Sequence, residues 1–406
     1  MKVIVYEHVS GGGYAGQPIP PSVLAEGFSM LRSVVADFKS AGHEVTVLMD
    51  TRISKLNPPV EADYLVPIYY PLENEKFLSI IAKINDAYCI IAPETGQILQ
   101  SIVRLVEKTE KISLNSDSQA IEKTANKAFF YETIQNLGVT PKTEILNLAD
   151  GLVENNRIIQ KEIGYPVVLK PADGVGCSGV SLVNEDAQLG KAIEKIMSLC
   201  SSTRLVAQQF IQGETASVSL ISTGKKAIAL SLNKQNVILE SPDSTSSYQG
   251  GSVPFDYWLR QKVFEVAEKV VEAFPGLKGY VGVDFILTEH KGYVVEINPR
   301  LTMSYTGLRK ISNFNVVDAI IDAVLNFKLP PKVEKWGVAC FSKIETSKPT
   351  IDVFRKASKM DAVISPPFPL EGDVKSFALI VGTGDTLDVA RNHLEEAKKK
   401  LLDIII

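Results

Sequence analysis

Residues 280–300, YVGVDFILTEHKGYVVEINPR, hold two alternating apolar runs on either side of a polar turn that contains Gly292. A period of two is the spacing of a strand that covers one face, so a β-hairpin is expected. Pairing Leu287 with Tyr293 leaves a loop over 288–292 and sets Asp284 opposite Glu296. In that register Asp284, Glu296 and Asn298 share one face, and Val283, Phe285, Val295 and Ile297 share the other. Like charges facing each other across strands are destabilising unless a cation lies between them. Three oxygen donors without His or Cys suit a hard ion such as Mg²⁺ better than zinc. A hairpin with one merely solvated face is the alternative, but the same register puts Ile286 and Val294 on that face. Pro299 ends the strand. Arg300 follows two residues after the amide, where a held guanidinium can neutralise charge growing on a transferring phosphoryl group.

At 406 residues and roughly 100–200 residues per domain, two to four domains are expected around this hairpin. A hydrophobic share of 45% with 22% charged residues belongs to a folded globular chain. No apolar stretch approaches the roughly 18 residues of a bilayer-spanning helix. The formal net charge of -4 exerts no overall pull on nucleic acid or anionic lipid, so neither is expected as a partner. Cys89, Cys177, Cys200 and Cys340 lie far apart, and His8, His43, His290 and His393 form no H-E-x-x-H, so no zinc site is expected. The start of the chain is too short in apolar residues for a signal peptide, which makes a reducing cytoplasm the expected compartment. Homo-oligomerisation is left open.

Strand-like runs at 2–6, 44–49, 64–68 and 88–92 alternate with helical spacing at 22–41, 73–84 and 96–106. That alternation describes a parallel sheet covered on both faces, over about residues 1–115. A helix is expected from a cap at 116–118 through Phe129 and Phe130 to Leu137, stopped by Gly138 and Pro141. Beyond it, paired runs at 167–170 and 180–183, then the hairpin, indicate antiparallel α+β structure. A helix over 316–327 runs into Pro330-Pro331, which reads as a linker before a small unit at 333–406.

The segment DGVGCSG (173–179) contains G-x-G-x-x-G at Gly174, Gly176 and Gly179. A dinucleotide fingerprint of that form must open a helix, whereas a strand follows here. With Lys170 three residues ahead, the loop suits closure over a triphosphate, Gly174, Gly176, Ser178 and Gly179 offering backbone donors and Lys170 a point charge. A loose turn is the alternative.

Taken in order, Asn126-Lys127, this strand-loop-strand, LVAQQFIQGE (205–214) and the hairpin resemble the ATP-grasp superfamily over about residues 116–328. The resemblance implies an α/β pre-grasp domain (1–115), an α+β ATP-grasp domain with antiparallel sheets (116–330) and a small C-terminal α+β extension (333–406). It also implies ATP as cofactor, with Lys127 and Lys170 on its phosphates, the backbone of Gln209, Phe210 and Ile211 on adenine, and Glu214 on the ribose. Asp284, Glu296 and Asn298 would hold two Mg²⁺ ions, with Mn²⁺ as a substitute, and Arg300 and Lys170 would serve catalysis.

Members of the superfamily phosphorylate a carboxylate with ATP and let an amine displace phosphate, so positioning and charge neutralisation matter more than a protein nucleophile. The chain accordingly shows no G-x-S-x-G and no Cys-His arrangement. The opening YEHVSGGG (6–13) and RLTMSY (300–305) resemble archaeal tyramine-L-glutamate ligases of methanofuran synthesis, which implies a small-molecule carboxylate and amine as partners. Ser10, Gly11 and Gly12 either offer donors to a substrate carboxylate or turn the chain. Ser304 and Tyr305 either line an acceptor pocket or cap and pack a helix, and Tyr248 lies on a substrate-facing loop or a plain turn. Other readings are a carbamoyl-phosphate-synthase-like enzyme or one with another carboxylate or amine, an NAD(P)-linked oxidoreductase, and an ATP-binding regulator without turnover. Gly11-Gly12-Gly13 lacks the dinucleotide spacing.

Overall fold

The computed structural model describes residues 1–70, 85–172, 177, 179–199, 203–331, 334, 337–372 and 375–405. The helix expected over 73–84 lies outside them, as do Gly174, Gly176 and Ser178. No described helix is long and apolar enough to cross a membrane.

The N-terminal alternation builds a parallel sheet of β1 (Lys2–Glu7), β2 (Glu44–Asp50), β3 (Tyr64–Ile68), β4 (Ala87–Ile91) and β5 (Ile112–Ser113), in the order β3-β2-β1-β4-β5. Successive β1 side chains serve opposite faces. Val3 and Val5 join the core formed with the helix Pro21–Ser40, while Ile4 and Tyr6 join the core formed with Ile98–Glu107. Pro21 presets the first turn of the longer helix, and Leu24, Phe28, Leu31, Val35 and Phe38 are its buried stripe. The chain leaves β1 in one direction and returns to its other side as β4, so a crevice opens at the carboxyl ends of these two strands. In open α/β sheets this is where ligands bind.

The next unit is an antiparallel sheet of β6 (Thr143–Asn147), β7 (Val167–Pro171), β8 (Ser181–Val183) and β9 (Arg204–Gln209), in the order β6-β9-β7-β8. Its core is closed by helices Gly151–Glu162 and Leu189–Leu199. The larger sheet contains β10 (Glu214–Thr223), β11 (Ala227–Ile238), β12 (Ser247–Val253), β13 (Lys278–Leu287), β14 (Gly292–Asn298), β15 (Val338–Ser347), β16 (Val363–Ser365) and β17 (Lys375–Gly384). Its order is β14-β13-β10-β11-β12-β15-β17-β16. The helix Arg260–Glu272 covers one face through Val263, Ala267, Val270 and Val271.

The C-terminal strands extend this sheet, since β12 pairs with β15 at Gly250↔Ser342 through Val253↔Ala339. The hydrogen bonding therefore joins strands that lie on either side of the linker expected at Pro330-Pro331. One apolar core also holds Phe28 of the N-terminal unit, Tyr305 and Leu308 of the helix Ser304–Ile311, and Phe341 and Leu379 of the C-terminal strands. The three units meet on the helix Pro21–Ser40.

Candidate active site

The hairpin forms, with a register that differs by one residue at its tip. Leu287 pairs with Gly292 and not with Tyr293, so the turn covers four residues, 288–291. A β-bulge at Val295 then restores the facing pair Asp284↔Glu296 and sets Gly282↔Asn298. The bulge also exchanges two side chains. Val294, expected on the polar face, is buried beside Phe285 in the core, whereas Val295, expected in the core, lines the cavity with Ile286.

Asp284 accepts from Gln235 Nε2 at 3.0 Å and from Asn298 Nδ2 at 3.1 Å. Burial pushes its carboxyl up to about 7 and the facing Glu296 adds to this, against the pull of the two amide donors and Arg300. A cation between the carboxylates would reverse that cost.

The helix expected as one piece over 118–137 is broken at Asn126, giving Ser118–Ala125 and Lys127–Ile134. Asn126 caps the second piece by accepting from Phe129 N–H at 3.2 Å. The break turns Lys127 inward, with Nζ 3.7 Å from Glu296 Oε1. One helical turn on, the Tyr131 hydroxyl accepts from Lys170 Nζ at 2.8 Å and donates to the bulge carbonyl, Val295 O, at 2.7 Å. Lys170 also donates to Gln208 Oε1 at 3.2 Å. Its ammonium is pulled down to about 8 by burial, against the opposing pull of Glu296 and Asp284.

Lys127, Lys170, Gln208, Asp284, Glu296 and Asn298 line a cavity of about 440 Å³ between the two antiparallel sheets, well within the range of small-molecule sites. Gln209, Phe210 and Ile211 line it where β9 passes into β10. The Gln209 and Phe210 N–H groups donate to Lys142 O at 2.8 Å and Pro166 O at 3.2 Å, so both are already committed within the protein. Glu214 opens β10 at the rim, paired with Lys234, and lines a neighbouring shallow depression with Trp258. Gly179, with φ +73°, is outside the lining, whereas Cys177 is part of it.

Arg300 enters from the hairpin end and meets the parallel-sheet crevice. Its Nε lies 3.0 Å from Oε1 of Glu94, which follows β4, and its Nη1 donates to Leu301 O at 3.2 Å. Glu7, the last residue of β1, accepts from Val9 N–H at 2.9 Å and from the N–H and Oγ of Ser10 at 2.7 and 2.6 Å. Burial raises both the Glu7 and Glu94 carboxyls, and Arg300 opposes the rise in each.

Ser10 is thus committed to Glu7. Gly11 and Gly12 lie in a buried turn: a Cβ on Gly11 would meet the Tyr6 ring at 2.7 Å, and one on Gly12, at φ +95°, would meet Ile68 at 2.5 Å. Neither glycine lines the cavity. Tyr248 and Ser304 do line it, and Ser304 Oγ also lies 2.8 Å from Thr302 Oγ1. Tyr305 points elsewhere, to Asp37, which Arg309 holds with Nε at 2.9 Å. Sequence reasoning passed over Glu94, Tyr131, Glu26 and Gln235. Glu94 had one available signal, its place at the carboxyl end of a strand beside a change of sheet direction.

An ATP-grasp domain model matches residues 124–304 and a pre ATP-grasp domain model matches residues 43–121. The chain belongs to the ATP-grasp superfamily. Tyramine-L-glutamate ligases of Methanocaldococcus jannaschii and Methanocaldococcus fervens are 28% and 29% identical over 82% of the chain, and over 92% and 97% of their own lengths. The carbamoyl phosphate synthase large chain of Clostridium beijerinckii is 25% identical over 86% of the chain, which spans 32% of that protein. Among solved structures, the biotin carboxylase domain of Hydrogenobacter thermophilus 2-oxoglutarate carboxylase, in complex with MgADP, superposes with TM-score 0.72 at 15% identity, covering 98% of this chain and 89% of that one. Carboxyaminoimidazole ribonucleotide synthase of Aspergillus clavatus, complexed with ATP, gives 0.68 at 20% identity, covering 100% and 99%.

The ATP-grasp chain is an ATP-dependent ligase. Its residues fit ATP with a hard divalent ion. The two facing carboxylates and the Asn298 amide supply oxygen donors, and Lys127 and Lys170 supply positive charge in the same cavity, Lys127 beside Glu296. Among the described residues no group of three or more His, Cys, Asp or Glu side chains converges as a metal site, so nucleotide oxygens would complete the shell of an ion held here.

Proposed function

We propose that the protein joins a carboxylate to an amine, with the glutamate γ-carboxylate and tyramine as the pair. ATP binds between the two antiparallel sheets with its phosphates toward Lys127 and Lys170. Asp284, Glu296 and Asn298 hold two Mg²⁺ ions, which supply charge neutralisation at the phosphates when bound. A carboxylate oxygen attacks the γ-phosphorus, ADP leaves, and an acyl phosphate remains. The neutral amine then attacks the acyl carbon, the C–O bond to phosphate breaks, and a proton is released from nitrogen, giving amide, ADP and phosphate.

The observation that supports this most is the place of Arg300. The Glu94 carboxylate fixes it at the junction of the nucleotide cavity and the switch-point crevice, where an acceptor carboxylate and a γ-phosphate would meet. A guanidinium held there neutralises both anions without rearranging. The similarity to tyramine-L-glutamate ligases over most of the chain supports the choice of substrates.

The test is ADP release across a panel of carboxylates and amines. ADP formed only when both substrates are present supports the reading, and tight NADH binding with no ATP binding would overturn it. ATP binding without turnover over the whole panel would leave a regulator.

A further inference from the structure

The buried ammonium of Lys170, on β7 of the smaller sheet, bonds to two neutral acceptors, the Tyr131 hydroxyl at 2.8 Å and Gln208 Oε1 at 3.2 Å. Asp284 and Glu296 both act on its charge, yet among the described residues no carboxylate stands within ion-pair distance of it, and the nearer lysine to Glu296 is Lys127 at 3.7 Å. A buried ammonium gains more from a carboxylate than from a hydroxyl or an amide oxygen. Its flexible four-carbon stem also leaves it free to swing.

Both acceptors are themselves fixed. Between an ammonium and a carbonyl the phenol has one polarity only: it accepts from Lys170 and gives its single proton to Val295 O at 2.7 Å. The ammonium is thus two hydrogen-bond lengths from the backbone of the residue before Glu296. Val295 is the residue left unpaired by the bulge that sets Glu296 opposite Asp284. Gln208 Nε2 donates to Thr143 Oγ1 at 3.0 Å, which turns Oε1 toward the lysine. One hydroxyl therefore joins β7 of the smaller sheet to β14 of the larger, from a helix that belongs to neither. Tyr131 does not line the cavity, and its ring packs in the core against Phe130, with centroids 5.0 Å apart.

We propose that Tyr131 is a positioning residue that holds the Lys170 ammonium away from the Asp284–Glu296 pair, keeping the lysine for an anionic ligand and the carboxylates for a divalent cation. Without the hydroxyl, Lys170 becomes the counter-ion of the carboxylates, and a cation must displace it before it can bind. The cation requirement of nucleotide binding is thereby set by a side chain outside the cavity lining. This rests on the reading of Lys170 as a phosphate-binding group and of Asp284, Glu296 and Asn298 as cation ligands.

The test is equilibrium binding of the β,γ-methylene analogue of ATP, followed by calorimetry over a range of Mg²⁺ concentrations in wild type, Tyr131→Phe, Lys170→Met and the double variant. Tyr131→Phe keeps the ring and its packing. It should raise the Mg²⁺ concentration for half-maximal binding about tenfold, with affinity at saturating Mg²⁺ restored to within about threefold of wild type. On Lys170→Met the same change should move the requirement less than about twofold, since no ammonium is left to compete. Gln208→Met removes the other acceptor from a different strand and should raise the requirement in the same direction, which carries the test if the thermal midpoint shows Tyr131→Phe unfolded. A folded Tyr131→Phe protein with the wild-type requirement overturns the proposal. So does a loss of affinity that excess Mg²⁺ does not restore, or an equal shift with and without Lys170. Wild-type binding that is the same at every Mg²⁺ concentration overturns the cation reading and the proposal with it, whereas Mg²⁺-dependent wild type with unshifted variants leaves that reading intact.

Discussion

Arg300 Nε lies 3.0 Å from Glu94 Oε1, which ties the β13–β14 hairpin to the loop after β4 of the parallel sheet. The two residues are 206 positions apart in sequence. Glu94→Gln keeps the shape and removes the charge that orients the guanidinium. The expected result is a fall in kcat of about ten- to a hundredfold with ATP affinity within about threefold, because the proposed reaction has Arg300 act where charge develops and not where adenine binds. Steady-state kinetics with an independent nucleotide binding assay check it, and an unchanged kcat would remove Arg300 orientation from the account.

Glu296→Gln separates metal binding from folding. It removes one of two carboxylates that face each other across β13 and β14, along with a loose 3.7 Å contact to Lys127. The thermal midpoint without Mg²⁺ should stay equal or rise, and activity should fall by at least about a thousandfold. Turnover at the wild-type level with a lowered midpoint would make the hairpin structural.

Lys170 sets a pH limit. Its ammonium is pulled down to about 8 in the free protein, so affinity for an ATP analogue should fall above about pH 8 as the charge is lost. Lys170→Arg should flatten that fall, since a guanidinium stays protonated. Folding responds with the opposite sign. Between about 8 and the ordinary value of 10.5 the unfolded chain binds more protons at this residue, so its contribution to stability rises with pH through that window. Calorimetric titration between pH 6.5 and 9.5, choosing about one and a half units on either side of 8, distinguishes the two senses.

The sequence made the hairpin legible because alternation needs only the order of apolar and polar residues. It hid the bulge. Val294 and Val295 are both apolar, so nothing in their chemistry says which one enters the core, and a strict two-residue count missed the turn by one. The break at Asn126 was readable in hindsight, since Asn is a poor helix interior residue and a good cap, yet the apolar spacing on both sides runs on as if unbroken. Glu26 carried no local motif and Glu94 only its place after a strand beside the change of sheet direction; the partners of both, Lys343 and Arg300, are brought in by tertiary contact. Glu214 stands at the motif position the resemblance implies, and the fold places it at the rim in an ion pair with Lys234.

Ser10 gives a contrasting expectation. Its N–H and hydroxyl both serve the buried Glu7 carboxylate. Ser10→Ala should therefore lower stability by about 1.5–3 kcal/mol, the range for a hydrogen bond to a charged group. Substrate KM should change less than about threefold. A large KM change at unaltered thermal midpoint would move this turn into the substrate site.

The most direct measurement follows oxygen from the carboxylate to phosphate. With the γ-carboxylate of glutamate labelled with ¹⁸O and tyramine as acceptor, transfer through an acyl phosphate predicts one labelled oxygen in each phosphate released, with ADP formed in equal amount. Unlabelled phosphate, or AMP and pyrophosphate in place of ADP and phosphate, would contradict the account.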